Sequence, residues 1–230
     1  MVVNIRVNAW EPDTGEQALL ALAGHSTMEE VLADRKARAS ELISVCAITP
    51  DKVGFEIGSG TGLVAAAVSP HCARLDCNDI SASFLARAAE TCAACANVDF
   101  HLITDFYLAH LPHEAYDFGF SFNVFIHFNP YDIFNYLQEV ARLLKPGGMF
   151  YFDACTIGDA TVGQFKEQAA MYQADPSRIR GLLNYNSPET IGRIITEAGL
   201  HPDALTLTHA SWLKVLVTKR KDASTEPPAV

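Results

Sequence analysis

Residues 56–62 read Glu-Ile-Gly-Ser-Gly-Thr-Gly, and this glycine-rich stretch is the segment most informative about the fold. Residues 53–57 form a short apolar run typical of a buried strand, and residues 63–69 have the composition of a helix. A glycine turn between a strand and a helix is the context in which such a motif holds an anionic group. Glycines let the backbone approach a ligand closely, and the helix N-terminus favours negative charge.

Two kinds of cofactor compete for a turn of this type: a dinucleotide, and a cofactor that is bound by a different glycine pattern. A dinucleotide site has the pattern G-x-G-x-x-G/A, whose third small residue lets the helix pack on the strand. Counting from Gly58 puts Gly60 in second place but Leu63 in third, which disfavours a dinucleotide. The observed pattern is an acidic residue, Glu56, two places before G-x-G-x-G.

Strand and helix patterns alternate around this turn. The patterns predict helices that begin near residues 27, 82, 130 and 188, with a polar, weakly periodic insert between 156 and 186. The predicted strands after the first cover residues 73–78, 98–104, 118–124, 149–153, 204–207 and 213–219. This alternation predicts an α/β fold, a parallel sheet with helices on both faces.

Further landmarks follow the turn in order. Asp79 ends the second strand, Asp105 and Phe106 follow the third, and residues 143–148 read Leu-Leu-Lys-Pro-Gly-Gly before the fifth. With the turn, they make the sequence resemble the class I S-adenosylmethionine-dependent methyltransferases over about residues 27–220. The resemblance implies a Rossmann-like sheet of seven mostly parallel strands, the last one antiparallel. It also implies S-adenosylmethionine as cofactor and S-adenosylhomocysteine as product.

The resemblance also implies roles for individual residues. It places Asp79 on the ribose hydroxyls, Ile80 on one adenine face and Asp105 on the adenine amino group, and Asn123 can offer its carbonyl to the methionine ammonium. Other interpretations remain: core packing for Ile80, a helix cap for Asp105 and a polar strand end for Asn123. The predicted cofactor site comprises Glu56, Ile57, Gly58, Ser59, Gly60, Gly62, Asp79, Ile80, Asp105, Phe106 and Asn123.

Catalysis of methyl transfer mainly requires alignment of the acceptor, and a base only where the acceptor must lose a proton. His127, just past strand four, and Asp153, at the end of strand five, are the candidate bases at the carboxyl edge of the sheet. A non-catalytic histidine is the alternative at position 127. Residues 129–131, Asn-Pro-Tyr, are interpreted as a helix cap. The expected acceptor is an oxygen or nitrogen atom of a small molecule.

Composition limits the possible partners. The 230 residues carry a formal net charge of −10, which disfavours nucleic acid, and no apolar run approaches the length of a membrane span. We expect one methyltransferase domain over 1–222, with an N-terminal lid or arm at 1–26, a substrate-side insert at 156–186 and a flexible tail at 223–230. Aromatic residues of the arm and the insert are expected either to form an apolar lid over the acceptor or to pack the insert onto the sheet.

Six cysteines, at positions 46, 72, 77, 92, 95 and 155, are interpreted as small buried thiols of a cytoplasmic protein rather than as zinc ligands. No metal is expected. Two rival functions remain at this stage: a cofactor-binding protein without transferase activity, and a nicotinamide-dependent oxidoreductase. The sequence leaves the oligomeric state open.

Overall fold

The computed structural model describes residues 26–104, 108–175, 182–208 and 211–221. Its first helix, α1 (Met28–Val45), begins at a capping box: the Thr27 hydroxyl accepts the Glu30 N–H at 3.2 Å, and the Glu30 carboxylate accepts the Thr27 N–H at 3.2 Å. The helix predicted to begin near residue 27 is confirmed.

Seven strands form one sheet within the described residues. They are β1 (Val53–Ile57), β2 (Arg74–Asp79), β3 (Val98–Leu102), β4 (Tyr116–Ser121), β5 (Leu144–Cys155), β6 (His201–Leu207) and β7 (Trp212–Thr218). The order across the sheet is β3-β2-β1-β4-β5-β7-β6. Pairs among β1 to β5 are parallel, whereas β7 runs antiparallel to both of its neighbours. The predicted Rossmann-like sheet with an antiparallel last strand is confirmed.

The helices cover both faces of this sheet. After α1 they are α2 (Leu63–Val68), α3 (Ala82–Thr91), α4 (Pro130–Leu143), α5 (Val162–Ala174) and α6 (Pro188–Glu197). Side chains of α1 and α2 pack in one core with Phe118 of β4, and side chains of α4 and α6 pack in the other core with Phe55 of β1. Because helices bury both faces of the parallel strands, the sequences of these strands are nearly continuous apolar runs.

Several strand limits differ from the sequence prediction, among them the end of β4 and the start of β5. Strand β4 ends at Ser121 rather than at residue 124, and the chain leaves the extended conformation at Asn123, which has a left-handed φ of 60°. Strand β5 begins at Leu144, which pairs with Tyr116, rather than at residue 149. The glycines at 147 and 148 lie within β5 at a register shift, and Gly147 has φ 86°.

The six cysteines are free thiols; five are buried and Cys95 is partly exposed, as predicted for core thiols. Burial raises the pKa of Cys46 to about 12, so this thiol stays protonated at neutral pH. Among the described residues, no helix combines the length and apolar character that crossing a membrane requires.

Candidate functional site

The glycine turn at 58–62 depends on backbone conformations that favour glycine. Gly58, Gly60 and Gly62 have φ values of 76°, 52° and 76°. A Cβ at Gly58 would lie 2.2 Å from a methyl carbon of Val124, and one at Gly62 would lie 3.0 Å from the Ala88 backbone. A Cβ at Gly60, by contrast, would meet no atom of the described residues within 4 Å, so the turn is open at its middle glycine. This open side offers room for a ligand next to the main chain.

Asn78 of β2, a residue that the sequence analysis did not single out, holds the start of the turn in place through hydrogen bonds. Its carbonyl accepts the N–H groups of Gly58 and Ser59 at 2.7 and 3.1 Å. Its side-chain amide donates to the carbonyls of Glu56 and Asp76, each at 3.0 Å. Only the pairing of β1 with β2 brings these groups together, so no local signal in the sequence marked this residue.

Asp79 lies directly beside the turn, as predicted. One carboxylate oxygen accepts the Gly60 N–H at 2.7 Å, and the other accepts the Ser81 N–H, at the cap of α3, at 2.9 Å. The side chain is buried. A carboxylate offers about four lone-pair sites, so one such group accepts several donors at once, hydroxyl groups included.

Glu56 is buried on the same face of the sheet as Asp79. Burial raises the pKa of its carboxyl to about 8; the thiol of Cys77, whose sulfur lies 3.6 Å from Oε2, opposes that rise, and the charge of Asp79 adds to it. The nearby positive charge of Arg35 acts in the opposite direction. A positively charged ligand next to Glu56 would favour the ionised form of this carboxyl group.

The remaining predicted cofactor residues divide into three groups. The Ser59 hydroxyl is buried and has no hydrogen-bond partner among the described residues, which makes it an orphaned polar atom at the turn. Ile57 is buried in the core, where its carbonyl accepts the Ser121 hydroxyl at 2.8 Å, and Ile80 packs at the edge of the same core. Asp105 and Phe106, together with residues 1–25 of the predicted arm at 1–26, lie outside the described residues.

Helix α1 contributes a charged cluster that sequence reasoning missed. Arg35 and Arg38 both donate to Asp34, at 2.6 and 3.0 Å. Arg38 also reaches across to Asp153 of β5, at 3.1 Å. Burial lowers the pKa of Arg35. Residues 34, 35 and 38 sit on a capped amphipathic helix, and nothing local indicates that this face meets the carboxyl edge of the sheet.

The two predicted residues Asn123 and Asp153 are in direct contact. Oδ1 of Asp153 accepts the main-chain N–H of Asn123 at 2.8 Å, and its Oδ2 receives Arg38. Burial raises the pKa of Asp153, and the charge of Arg38 opposes that rise. Both carboxylate oxygens are therefore engaged by the protein itself.

His127 lies in a short 3-10 turn (Phe125–His127) after β4. Its Nδ1 lies 2.9 Å from the Leu182 carbonyl, and because a carbonyl oxygen only accepts, Nδ1 carries the hydrogen. In the neutral ring the lone pair is then on Nε2, the arrangement a base requires. The side-chain amide of Asn184 also donates to the His127 carbonyl, at 2.8 Å.

Residues 182–186 form a strap that is hydrogen-bonded to the turn at Phe125–His127 and to Cys155 at the end of β5. Tyr185 forms a parallel bridge with Cys155, the last residue of β5. This bridge lies on the edge of β5 that faces β4, beyond the last pair between these two strands, and β7 pairs with the other edge. The strap is tied to α5 by the Leu183 N–H, donated to Gln168 at 2.9 Å, and by an edge contact between the rings of Phe165 and Tyr185 at 5.3 Å. The predicted substrate-side insert is thus held next to His127.

Helix α5 is unusual because none of its residues, all within the described part of the chain, is buried. Val162, Phe165, Met171 and Tyr172 are among the exposed large apolar residues. Exposed apolar side chains on a helix tied to the strap are suited to contact an apolar ligand.

Comparison with known proteins agrees with this geometry. Residues 55–148 match the family model described as a methyltransferase domain. The match spans less than half of the chain and shows that this segment is similar to that family. It contains the glycine turn, Asp79, Asn123 and His127, so the class I methyltransferase resemblance is confirmed there.

Solved structures show the same fold at low sequence identity. The YcgJ protein of Bacillus subtilis is 16% identical, with a TM-score of 0.62, and the match covers 80% of this chain and 98% of that one. A methyltransferase in complex with the Haloferax volcanii Trm112 methyltransferase activator is 15% identical, with a TM-score of 0.67 and coverages of 94% and 98%. Geranyl diphosphate C-methyltransferase of Streptomyces coelicolor, in complex with S-adenosyl-L-homocysteine, is 14% identical, with a TM-score of 0.60 and coverages of 79% and 76%.

Proposed function

We propose that this protein binds S-adenosylmethionine and transfers its methyl group to an oxygen or nitrogen atom of a small molecule. The contact between Gly60 and Asp79 carries the proposal, because it joins the open glycine turn to a buried, hydrogen-bonded carboxylate. The family match over residues 55–148 supports the same conclusion.

The residues at the turn fit the chemical groups of this cofactor. The open space at Gly60 and the orphaned hydroxyl of Ser59 suit its polar amino-acid part, and Asp79 suits a pair of ribose hydroxyls. Arg35 adds a cation for a carboxylate, and Glu56 an acid that a positive charge would ionise. Asp105 and Phe106 are proposed to contact the adenine.

When bound, the cofactor supplies a methyl group activated by a positively charged sulfur. The protein must hold the acceptor in line with that methyl group and exclude water. Such alignment is worth roughly 7–11 kcal/mol in favourable cases. The strap and α5 are proposed for this task, because the strap contacts His127 through the Leu182 carbonyl and packs its Tyr185 ring on Phe165 of α5.

His127 is the proposed base for an acceptor that must lose a proton. The Leu182 carbonyl fixes the tautomer and the ring orientation, and a histidine titrates close to neutral pH. This role favours a hydroxyl or an ammonium acceptor. The net charge of −10 favours an acceptor that is neutral or positively charged.

Calorimetric titration with S-adenosylmethionine, and separately with S-adenosylhomocysteine, tests the first half of the proposal. We expect micromolar binding of both at about one per chain. No binding of either by the purified chain would overturn the proposal.

A panel of small hydroxyl, amine and carbon-nucleophile acceptors, scored by the release of S-adenosylhomocysteine, tests the second half. Turnover with a hydroxyl or amine supports it, and turnover confined to carbon nucleophiles contradicts the acceptor class. Binding without any turnover favours the rival function of a cofactor-binding protein.

A further inference from the structure

Arg38 contacts both β5 and the residue that directly follows β4. Its NH1 group donates to Asp153 at 3.1 Å, and its guanidinium carbon lies 5.5 Å from the ring centroid of Phe122. Its Nε is held by Asp34 of the preceding turn at 3.0 Å. The guanidinium therefore bridges α1, β5 and the residue that precedes Asn123.

Asp153 passes this contact on to the main chain of Asn123. Its other oxygen accepts the Asn123 N–H at 2.8 Å. Asn123 has φ 60°, a left-handed conformation that costs free energy in any residue with a side chain and persists only when neighbouring contacts hold it. The Asp153 carboxylate is one such contact, and Arg38 fixes the position of that carboxylate.

The conformation of Asn123 decides where Val124 lies. A methyl group of Val124 fills the space in which a side chain of Gly58 would stand, 2.2 Å from that Cβ position. Val124 therefore packs directly against the first glycine of the turn. A continuous series of contacts runs from Arg38 through Asp153, Asn123 and Val124 to Gly58.

We propose that Arg38 is a positioning residue of the cofactor site, and that it acts on the glycine turn through Asp153 and the main chain of Asn123. The inference rests on the proposed function, which assigns S-adenosylmethionine to the glycine turn. It also assigns Asp153 a structural task at the site, in place of the proton transfer that the sequence suggested, since both of its oxygens are already engaged.

Helix α1 offers a matched control for this proposal. Glu41, one turn further along, anchors the same helix to the same face of the sheet: its carboxylate receives Lys214 at 2.6 Å and the Tyr151 hydroxyl at 2.7 Å. Neither of these bonds involves Asn123 or the glycine turn. A loss of either anchor weakens the docking of α1, but Glu41→Gln leaves in place the hydrogen bond that Arg38 donates to Asp153.

The experiment compares Arg38→Met with Glu41→Gln by calorimetric titration with S-adenosylmethionine. Methionine keeps an unbranched stem over Phe122 while removing the charge and the donors. We expect Arg38→Met to raise the Kd by about 3-fold to 30-fold, the range of coupling energies carried through intermediate residues. We expect Arg38→Lys to recover part of the affinity and Glu41→Gln to leave the Kd unchanged.

Hydrogen exchange of the Asn123 amide in the ligand-free protein provides a second readout. Exchange should accelerate in Arg38→Met and stay at the wild-type rate in Glu41→Gln. Wild-type affinity of Arg38→Met, or an equal loss in both variants, overturns the positioning role. If the wild-type protein does not bind the cofactor, the proposed function fails, and unchanged Asn123 exchange in Arg38→Met would then separately refute the contact series.

Discussion

The main-chain N–H of Gly60 donates to the carboxylate of Asp79 at 2.7 Å, so the middle of the glycine turn is bonded to the end of the neighbouring strand. The second oxygen of Asp79 accepts the N–H of Ser81, at the start of α3. Through these two bonds the carboxyl group of Asp79 holds the turn, the strand end and α3 in one arrangement.

Replacement of Asp79 by alanine should weaken cofactor binding by one to two orders of magnitude. The basis is the roughly 1.5–3 kcal/mol of hydrogen bonds to a charged group. Calorimetric titration measures the Kd, and thermal unfolding in the absence of cofactor reports the separate cost of losing the bonds to Gly60 and Ser81. An Asp79→Ala protein that is folded and binds normally would remove this residue from the site.

Alanine substitutions along the glycine turn should differ in cost. Gly58→Ala combines a left-handed backbone with a collision against Val124, and we expect it to destabilise the protein by roughly 2–4 kcal/mol. Gly60→Ala has the same backbone strain but open space, so its expected cost is about 1–2 kcal/mol. Urea unfolding gives both values.

Gly163 in α5 is the control for these substitutions, because a Cβ there meets no atom of the described residues within 4 Å and no left-handed conformation is involved. Gly163→Ala should be neutral or stabilise by up to about 1 kcal/mol. Equal losses at positions 58 and 60 would contradict the collision with Val124.

Glu56 should make the wild-type protein less stable as the pH rises. The pKa of this carboxyl is about 8 in the folded protein, against an ordinary value of 4.5. Between these two pH values the folded state holds a proton that the unfolded state has released. The free energy of unfolding therefore falls with rising pH across this interval and levels off above it.

The variant Glu56→Gln should match the wild type near pH 4.5 and exceed its stability at pH 8.5, by an amount on the order of a few kcal/mol. Unfolding in urea at several pH values measures the difference. A pH-independent gain for Glu56→Gln would contradict the pKa assignment.

Glu41 is the opposite case: partial burial raises the pKa of its carboxyl, but the bonds from Lys214 and Tyr151 outweigh burial and hold that pKa below 4.5. Loss of Glu41 should cost stability at neutral pH and little in acid.

Tyr185 carries a buried hydroxyl that has no hydrogen-bond partner in the described part of the chain, beside Phe165. A buried polar atom left unsatisfied costs about 1–3 kcal/mol. Tyr185→Phe should therefore raise the midpoint of thermal unfolding. The ring contact with Phe165 is kept in this variant, whereas Tyr185→Ala removes the ring as well and should lower the midpoint. A destabilised Tyr185→Phe protein would show that the hydroxyl has a stabilising partner in solution.

His127→Asn tests the proposed base. The asparagine amide retains a donor in place of Nδ1 for the Leu182 carbonyl, and the bond from Asn184 goes to the main chain, so the strap should stay in position. Loss of a base should lower kcat by about 10²–10⁴-fold and remove one ionisation from the pH–rate profile. An unchanged profile in the variant would rule out proton transfer by His127.

Local patterns were sufficient for much of the fold. The capping box at Thr27, the glycines at 58–62 and the cap at Asn129 mark where elements begin, because each reflects hydrogen bonds within a few residues. Apolar runs and the order of the elements predicted the parallel sheet. Limits that depend on pairing between strands were less predictable: β4 ends where Asn123 turns left-handed, and β5 begins where Leu144 pairs with Tyr116.

The glycine turn and the acidic residues at the strand ends follow from the amino-acid sequence alone, since strand ends in a parallel sheet meet at one edge. The groups that hold these residues in place follow from the packing of the whole chain. Asn78 beneath the turn, Arg38 on Asp153 and the strap beside His127 are contacts between residues distant along the chain. Their formation depends on how helices and strands pack, and no short segment records that packing.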